Sequence, residues 1–224
     1  MEIKKISPSQ IVKVLFPDAY KDVPEWILEK AAEFGKDLHE SIQTYIENPD
    51  LDDEITEALI TDNKIRLYEA FKQWFKEQDI KEPQTEYYLE TEALHGYLDL
   101  VSFKDKKFWD YKFRNVDKKL DLTKDILQMM VYQHILTKIY NEVFNWELVI
   151  FDKKTAKIYL LKSGYLEQDY KNYLTEIIQQ IILVLIHRQG IETFNKDDLE
   201  QWEPEIITEL KYQAYLKDGD PGDR

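Results

Sequence analysis

The sequence predicts an α/β fold, and three observations predict it. Apolar residues recur at helical spacing over residues 24–47 and 54–78. Alternation of apolar and polar residues then predicts five short strands, at residues 84–90, 94–103, 106–114, 143–151 and 156–161. Further helical segments at 123–140 and 166–188 follow the third and the fifth strand. Helices interspersed with groups of strands are typical of a sheet covered by helices.

Length and composition indicate one main domain with an appendage. The chain has 224 residues, of which 43% are hydrophobic, so enough apolar surface is present for a substantial core. We predict a main domain over residues 1–190 and an acidic C-terminal extension over residues 191–224, partly helical or disordered. Cysteine is absent, which excludes disulfides, cysteine-ligated zinc and iron–sulfur clusters.

The apolar segments of the chain are short. The N-terminus, Met-Glu-Ile-Lys-Lys, lacks the apolar run of a signal peptide. The longest purely aliphatic run, residues 181–186, is far below the ~20 residues that a membrane span needs. We therefore expect a soluble, cytoplasmic protein without a membrane partner.

The first long helix, residues 24–47, carries an apolar stripe and a glycine–histidine pair. We expect the stripe to face the core; its members are Ala31, Phe34, Leu38, Ile42 and Tyr45. Gly35 and His39 are four residues apart, so they lie on one side of the helix. Because Gly35 has no side chain, another group has room to approach the imidazole. A half-buried histidine with a purely structural role would give the same pattern.

Two neighbouring strands, joined by a short charged turn, each place a carboxylate among large apolar side chains. Asp99 lies in the first of them and Asp110 in the second. Residues two apart in a strand share a face, so Lys112 stands beside Asp110, while Trp109 and Tyr111 take the opposite face toward the core. Buried acids are costly unless something pairs with them, and a divalent cation would do so.

The strand at residues 84–90 carries a third acid. Glu86 reaches the same place if this strand pairs with the next one along the chain. A solvated carboxylate on an edge strand would give the same pattern, since edge strands favour charge. In the next strand, regular alternation places Tyr97, Asp99, Val101 and Phe103 on one face.

The helix at residues 123–140 adds a polar pair, because Gln128 and Tyr132 are four apart and project from one side. An exposed glutamine and a core tyrosine are the simpler interpretation of these two residues.

Charge is unevenly distributed in a chain whose net charge is −14. Seven acids and no base fall between Glu47 and Asp62, whereas eight bases and four acids fall between Lys104 and Lys124. The basic segment coincides with the carboxylates, and a local positive field matters more than total charge when a polyanion docks. Surface turns also collect lysines without any partner.

Four short motifs follow one another along the chain: Gly35-x-x-x-His39, Gly96-Tyr97-Leu98-Asp99-Leu100, Asp110-Tyr111-Lys112 and Gln128-x-x-x-Tyr132. In this order, each on the expected element, they resemble the PD-(D/E)XK nuclease superfamily. The closer likeness is to its RecB/Cas4-like branch, which includes phage-type exonucleases. The resemblance covers about residues 35–132. Asp110 stands where many members have glutamate, and the cysteines of Cas4-like proteins are absent, so no iron–sulfur domain is expected.

The resemblance implies a mixed central β-sheet flanked by helices, with helical N- and C-terminal additions and a site at a strand edge. It implies a metal-dependent DNA exonuclease that hydrolyses phosphodiester bonds at the ends of linear DNA, in phage or bacterial recombination and repair. A structure-specific or restriction-type endonuclease is an alternative. A catalytically inactive module that binds DNA or a protein partner on the same fold is another.

The roles of the site residues follow from the resemblance and from the chemistry of phosphodiester hydrolysis. Asp99 and Asp110 are expected to ligate one or two Mg²⁺ or Mn²⁺ ions, with His39 and the carbonyl of Tyr111 as further ligands. Lys112 is expected to orient or deprotonate the attacking water and to stabilise charge on the phosphate. Glu86 would assist through a water or a second metal ion.

The expected partner is DNA, bound without regard to sequence. Gln128 and Tyr132 would position the substrate strand, and basic residues would hold phosphates; these are Lys106, Lys107, Arg114, Lys118 and Lys119. A single-strand annealing protein or a helicase is a candidate protein partner for the acidic extension. A homo-oligomer is a further candidate assembly, and the apolar end of the last helix would suit it.

Overall fold

The structure, a computed structural model, describes residues 4–17, 19, 21–48, 62–116, 121–188, 195–199 and 202. Within these residues five strands form one mixed sheet in the order β1-β2-β3-β4-β5. Their bounds are Gln84–Glu90 for β1, His95–Ser102 for β2, Lys107–Arg114 for β3, Asn145–Asp152 for β4 and Ile158–Lys162 for β5. The pair β3 and β4 is parallel, and the other neighbouring pairs are antiparallel.

Helices cover both faces of this sheet. Their bounds are Pro8–Leu15 for α1, Glu25–Glu47 for α2, Asp62–Gln78 for α3, Thr123–Tyr140 for α4 and Gln168–Arg188 for α5. The predicted α/β class, with a mixed sheet flanked by helices, is confirmed. The five strands and the predicted helix bounds agree with the sequence to within two residues, except that residues 54–61 of the second predicted helix lie outside the described residues.

Two hydrophobic cores lie on opposite faces of the sheet. The α2-side core joins α2 and α3 to the sheet through side chains such as Leu38, Phe71, Trp109 and Tyr111. The α4-side core, formed with α1, α4 and α5, contains among others Leu98, Phe108, Ile126, Leu148 and Ile181. As predicted, Trp109 and Tyr111 are buried, at 2% and 1% exposure. The crossover from β3 to the parallel β4 runs through α4, which therefore packs on one face of both strands.

Strand β2 changes its facing where its pairing with β3 stops. The ladder between these two strands ends at Leu100 opposite Trp109, whereas β3 and β4 stay paired along their whole length. Leu98 packs in the α4-side core, but Leu100 packs in the α2-side core. The predicted common face of Tyr97 and Val101 is therefore wrong, since Val101 is buried on the α4 side and Tyr97 is exposed. The reason is that β2 leaves the regular ladder at this point.

The start of helix α2 and the C-terminal described residues also differ from the sequence-based expectation. Ala31 is exposed, because the first turns of α2 have no buried contact within the described residues, so the apolar stripe begins only at Phe34. Leu199 is buried in the α4-side core, and the ring of Trp202 meets that of Phe16 edge-on at 5.6 Å. Part of the predicted acidic extension thus packs on the main domain. No helix of the described chain combines the length and the apolar character needed to cross a membrane.

Candidate metal centre

Three potential metal ligands from three different elements meet on the α2 face of the sheet. They are His39 of α2, Glu86 of β1 and Asp99 of β2, and one ligand atom from each lies within 4.8 Å of the others. The Nδ1 atom of His39 is 3.7 Å from Oδ1 of Asp99. All three side chains are half-buried, so water and small ions still have access. The sequence-based prediction that Glu86 reaches Asp99 if the two strands pair is met by the antiparallel pairing of β1 with β2.

Aromatic side chains of β3 hold the imidazole of His39. Its ring lies 4.7 Å from the ring of Tyr111 and 5.9 Å from the ring of Phe113. One turn earlier in α2, a Cβ atom added to Gly35 would meet no heavy atom within 4 Å, so the space beside the imidazole is open. This is the arrangement expected from the spacing of Gly35 and His39.

Tyr111 fixes Asp99 from two sides. The backbone N–H of Tyr111 donates a hydrogen bond of 3.0 Å to Oδ2 of Asp99, and the Tyr111 hydroxyl donates one of 3.3 Å to the Asp99 carbonyl oxygen. The ladder between β2 and β3 ends before this point, so the Asp99 carboxylate accepts the hydrogen bond that the Tyr111 N–H would otherwise donate to the backbone of β2. With Oδ2 engaged, Oδ1 remains on the side of His39. The sequence-based role for Tyr111 was its carbonyl, but the contacts seen here come from its N–H, hydroxyl and ring.

Glu86 is held in an unfavourable backbone conformation. In the β1–β2 register it falls opposite Asp99, between the pairs Thr85–Leu100 and Tyr87–Leu98. Its φ is 46°, in the left-handed region that side chains with a Cβ avoid. Burial raises the pKa of Glu86, and the negative charge of Asp99 raises it further. Strain and electrostatic repulsion both oppose this arrangement, and both are typical of a residue retained for a function.

Asp110 and Lys112 form a buried ion pair next to this cluster. Nζ of Lys112 lies 2.7 Å from Oδ2 of Asp110, as the strand spacing predicted. Burial raises the pKa of Asp110 to about 6, although the charge of Lys112 opposes the shift. Burial alone would lower the pKa of Lys112, but the attraction of Asp110 and Asp99 outweighs it, so the pKa is raised. Asp110 stays outside the three-residue cluster, although Asp99 is close enough to influence its titration.

Helix α4 closes the other side of the ion pair. Tyr132 is buried in the α4-side core, as the simpler interpretation of this pair predicts, whereas Gln128 is half-buried and not exposed. Burial and the charge of Asp110 raise the pKa of Tyr132, which keeps its phenol protonated. A Cβ atom added to Gly96 would lie 2.8 Å from the Tyr132 ring and 3.1 Å from Pro8. Two of the four sequence motifs thus meet in one packing contact.

Arg114 and Asp125 form an ion pair near Lys112 that the sequence does not predict. Arg114 donates a hydrogen bond of 2.7 Å to Asp125 in the first turn of α4. Arg114 lies two residues after Lys112 and on the same face of β3, and Asp125 contributes to the electrostatics of both Asp110 and Lys112. The preference of acids for a helix N-terminus predicts Asp125 at this position, but its pairing with β3 depends on how α4 packs.

The lysines of the β2–β3 turn lie away from the centre. Lys107 is three strand residues from Asp110, roughly 10 Å along β3. Its Nζ forms an ion pair of 2.5 Å with the buried Glu147 of β4, and Lys106 pairs with Glu142 at 3.0 Å. The structure therefore does not bring Lys106 and Lys107 to the carboxylates. Lys118 and Lys119 lie outside the described residues.

The donor set of the cluster fits a hard divalent cation. Ligands at about 2.1 Å from Mg²⁺ lie at most about 4.2 Å from one another, so the His39–Asp99 separation already suits such an ion. A small inward movement brings Glu86 into the same range. Two carboxylates with one imidazole suit Mn²⁺ as well as Mg²⁺. A cation would also neutralise the repulsion between Glu86 and Asp99 that raises the pKa of Glu86.

A groove of the described chain lies away from the candidate centre. It has a volume of about 840 Å³ and lies on α3 and the β4–β5 turn, where Arg66, Glu69, Lys76 and Ala156 line it. None of its lining residues belongs to the ligand cluster or to the buried ion pair. We therefore locate the candidate centre by its donor atoms and not by concavity.

Comparison with known proteins bears on the fold. No protein-family model matches the chain. An uncharacterized protein of Ureaplasma parvum serovar 3 is 25% identical over 166 residues, which cover 70% of this chain and 78% of that protein. Among solved structures, a presumed exonuclease from Eubacterium rectale aligns with a TM-score of 0.52 and 13% identity, over 88% of this chain and 86% of that one. At that identity the likeness shows the fold alone, a mixed sheet flanked by helices.

Proposed function

We propose that the protein is a metal-dependent nuclease that hydrolyses phosphodiester bonds at the ends of linear DNA. The observation that carries the proposal is the meeting of His39, Glu86 and Asp99 beside the buried pair of Asp110 and Lys112. The resemblance of the four sequence motifs to the PD-(D/E)XK superfamily and the fold shared with a presumed exonuclease support it. A DNA exonuclease of recombination or repair is the specific role that we infer.

The residues of the centre divide the work of hydrolysis between them. His39, Glu86 and Asp99 would hold Mg²⁺ or Mn²⁺, which when bound polarises the phosphate and makes a water more acidic. The hydrogen bond from the Tyr111 N–H orients Asp99 before any ion arrives. His39 packs against the ring of Tyr111, and Asp99 accepts a hydrogen bond from the Tyr111 N–H. Because Tyr111 belongs to the core, little reorganisation of these two residues is needed when the ion binds.

Lys112 supplies positive charge where the reacting phosphate would lie. Its side chain is 27% exposed while its partner Asp110 is buried, so the ammonium group is shared between the carboxylate and solvent. A raised pKa keeps Lys112 protonated at neutral pH, which suits stabilisation of developing negative charge better than it suits proton abstraction. We therefore assign Lys112 to charge stabilisation and to the orientation of water.

The first test is digestion of end-labelled linear duplex, linear single strands and closed circular DNA with Mg²⁺, Mn²⁺ or EDTA. An exonuclease degrades the linear forms, needs the metal and leaves closed circles intact. Degradation of circles would favour the endonuclease alternative. Complete absence of turnover, with DNA binding retained, would favour the inactive binding module.

Matched variants connect any activity to the centre. Glu86→Gln removes a ligand charge, and Glu90→Gln removes the same charge four residues later in the same strand, where Glu90 pairs with Lys5. We expect Glu86→Gln and Asp110→Asn to lose cleavage by at least about a hundredfold, as removal of catalytic charge does in other enzymes. Glu90→Gln should cleave like wild type. Equal rates for all three variants would refute the assignment.

Metal binding gives a readout that does not depend on turnover. The free-ion signal of Mn²⁺ in electron paramagnetic resonance falls when protein binds the ion. Wild type and Glu90→Gln should bind Mn²⁺, whereas Glu86→Gln and Asp99→Asn should bind it at least about tenfold more weakly, as loss of one ligand predicts. Unchanged affinity in both ligand variants would contradict the metal centre.

A further inference from the structure

Two exposed tyrosines lie two residues along their strands from ligands of the candidate centre. Tyr88 of β1 and Tyr97 of β2 are opposite each other in the antiparallel register, and their rings lie 5.0 Å apart at 49°. Tyr97 is 55% exposed and Tyr88 is 44% exposed, which is unusual for large aromatic side chains on a sheet. Their neighbours Tyr87, Leu89 and Leu98 face the α4-side core, so the two exposed rings project on the opposite face.

That opposite face is the face of the ligand cluster. Glu86 precedes Tyr88 by two residues, and Asp99 follows Tyr97 by two. Both acids meet His39 of α2, so they lie on the α2 side of the sheet, to which the two rings also project. Two residues along a strand span about 7 Å. This distance is on the scale of one nucleotide of an extended single strand. A phosphate at the centre would therefore bring a neighbouring base to the two rings.

The surroundings of the rings favour a nucleobase over a protein surface. Charged groups border Tyr88, since the ion pair of Glu90 and Lys5, at 2.5 Å, acts electrostatically on its phenol. His95 lies beside it, at 6.3 Å between rings. The rim is thus polar, whereas a protein interface would extend the apolar surface with aliphatic side chains. An uncharged ring also accepts a base without meeting the repulsion that the acidic surface exerts on phosphates.

We propose that Tyr97, supported by Tyr88, is a stacking platform for an unpaired base next to the phosphate in the centre. The inference rests on the proposed nuclease function and adds a preference to it. The substrate class is a single strand or an unpaired end of a duplex, because a base within an intact duplex has no free face to offer. Stacking on an aromatic face is tolerant of sequence, which agrees with digestion that does not depend on sequence.

The test is binding of 5′-fluorescein-labelled oligonucleotides by anisotropy, with Ca²⁺ in place of Mg²⁺ so that the strand is not consumed. One abasic residue is moved through successive positions of the strand. The variants are Tyr97→Ala and the conservative Tyr97→Phe. The control is Tyr165→Ala, an exposed tyrosine that follows β5 at the far edge of the sheet.

Tyr97→Ala should weaken binding of the intact strand by roughly tenfold or more, the range found for loss of a base–aromatic stack. Wild type should lose a similar factor when one particular base is removed, and Tyr97→Ala should not. Tyr97→Phe and Tyr165→Ala should behave like wild type. Equal affinity of wild type and Tyr97→Ala, or equal sensitivity of both to the abasic residue, overturns the platform.

Separate outcomes identify which proposal has failed. If wild type binds Mn²⁺ and cleaves but shows no coupling between Tyr97 and a base, the platform falls and the nuclease stands. If the coupling is present but wild type neither binds Mn²⁺ nor cleaves, the platform stands as a single-strand binding site and the nuclease falls. If wild type does not bind single strands at all, the platform is wrong.

Discussion

Replacement of Glu86 by glycine should stabilise the metal-free protein and at the same time remove its metal site. Glu86 has a φ of 46°, and its carboxylate is close to those of the cluster. Glycine adopts the left-handed region without a steric penalty and carries no charge to repel Asp99. The perturbation therefore removes two unfavourable features of the metal-free state. Both features are expected at a position that carries a metal ligand, as we propose for Glu86.

The size of the effect follows from the backbone. A left-handed residue with a Cβ costs about 1–2 kcal/mol, and the added flexibility of glycine in the unfolded chain costs about 0.5–1 kcal/mol. The midpoints of the two ranges give a net gain of about 0.75 kcal/mol, before relief of the repulsion with Asp99 is included. For a chain of this length the gain corresponds to a rise in Tm of about 1–4 °C.

Glu82 provides a matched control. It has the same residue type and the same φ of 46°, but it is exposed and pairs with Lys104 away from the cluster. Glu82→Gly should gain the same backbone relief, less the small contribution of a surface ion pair. The assay is urea unfolding at pH 8 in EDTA, where carboxylates are ionised. The difference between the two variants then measures the repulsion between Glu86 and Asp99.

Addition of Mn²⁺ should reverse the order of stability. At 100 times its dissociation constant, a ligand stabilises the protein that binds it by about 2.7 kcal/mol. Wild type and Glu82→Gly should gain this amount, and Glu86→Gly should gain much less. If Glu86→Gly is less stable than wild type in EDTA by more than about 1 kcal/mol, or gains as much from Mn²⁺, the account of Glu86 as a strained ligand is wrong.

Four further predictions concern the neighbours of the cluster. Because the pKa of Asp110 is raised in the native state, the folded protein keeps a proton between about pH 4 and 6 that the unfolded chain has lost. As the pH rises through this window, wild type should therefore lose stability relative to Asp110→Asn, measured by unfolding in EDTA. Cleavage at limiting Mn²⁺ should move oppositely and fall as the pH drops below about 6, a dependence that a pH–rate profile will detect or exclude. Gly96→Ala should destabilise the fold by about 1–3 kcal/mol through overpacking against Tyr132 and Pro8, measured by urea unfolding, and an unchanged midpoint would contradict that contact. Lys112→Ala should lower the turnover number more than it weakens DNA binding, so a pure binding defect would make Lys112 a phosphate anchor instead.

Local spacing was enough to predict the parts of the site that depend on one element. The period of two in β3 put Lys112 beside Asp110, and the period of 3.6 in α2 put Gly35 beside His39; both pairs are as expected. The sequence could place Glu86 only on condition that β1 pairs with β2. Its left-handed backbone had no signal at all, because glutamate rarely adopts that conformation and no glycine or asparagine marks the position.

Charge composition was a poorer guide than spacing. Lys106 and Lys107 belong to a basic segment that overlaps the carboxylates in sequence. In the structure they lie at the start of β3, away from the carboxylates. There the parallel neighbour β4 supplies Glu147, about 40 residues later, as the partner of Lys107. A partner at that separation depends on the crossover through α4, which local sequence does not reveal. Of the predicted phosphate-binding residues in the described chain, Arg114 is the one that lies on the face of Lys112 near the centre.

Tyr111 joins the candidate metal centre to the interior of the protein. Its N–H and hydroxyl hold Asp99, its ring holds His39, and the same ring packs at 5.3 Å from Phe71 in the α2-side core. His39 and Asp99 should therefore keep their positions while the α2-side core is packed, and should lose them when that core unfolds. Metal binding at the centre should therefore report whether the core is folded. In a urea series, Mn²⁺ affinity and the near-ultraviolet signal of the buried aromatic rings should disappear in one transition, whereas a site carried on a surface loop would be lost first.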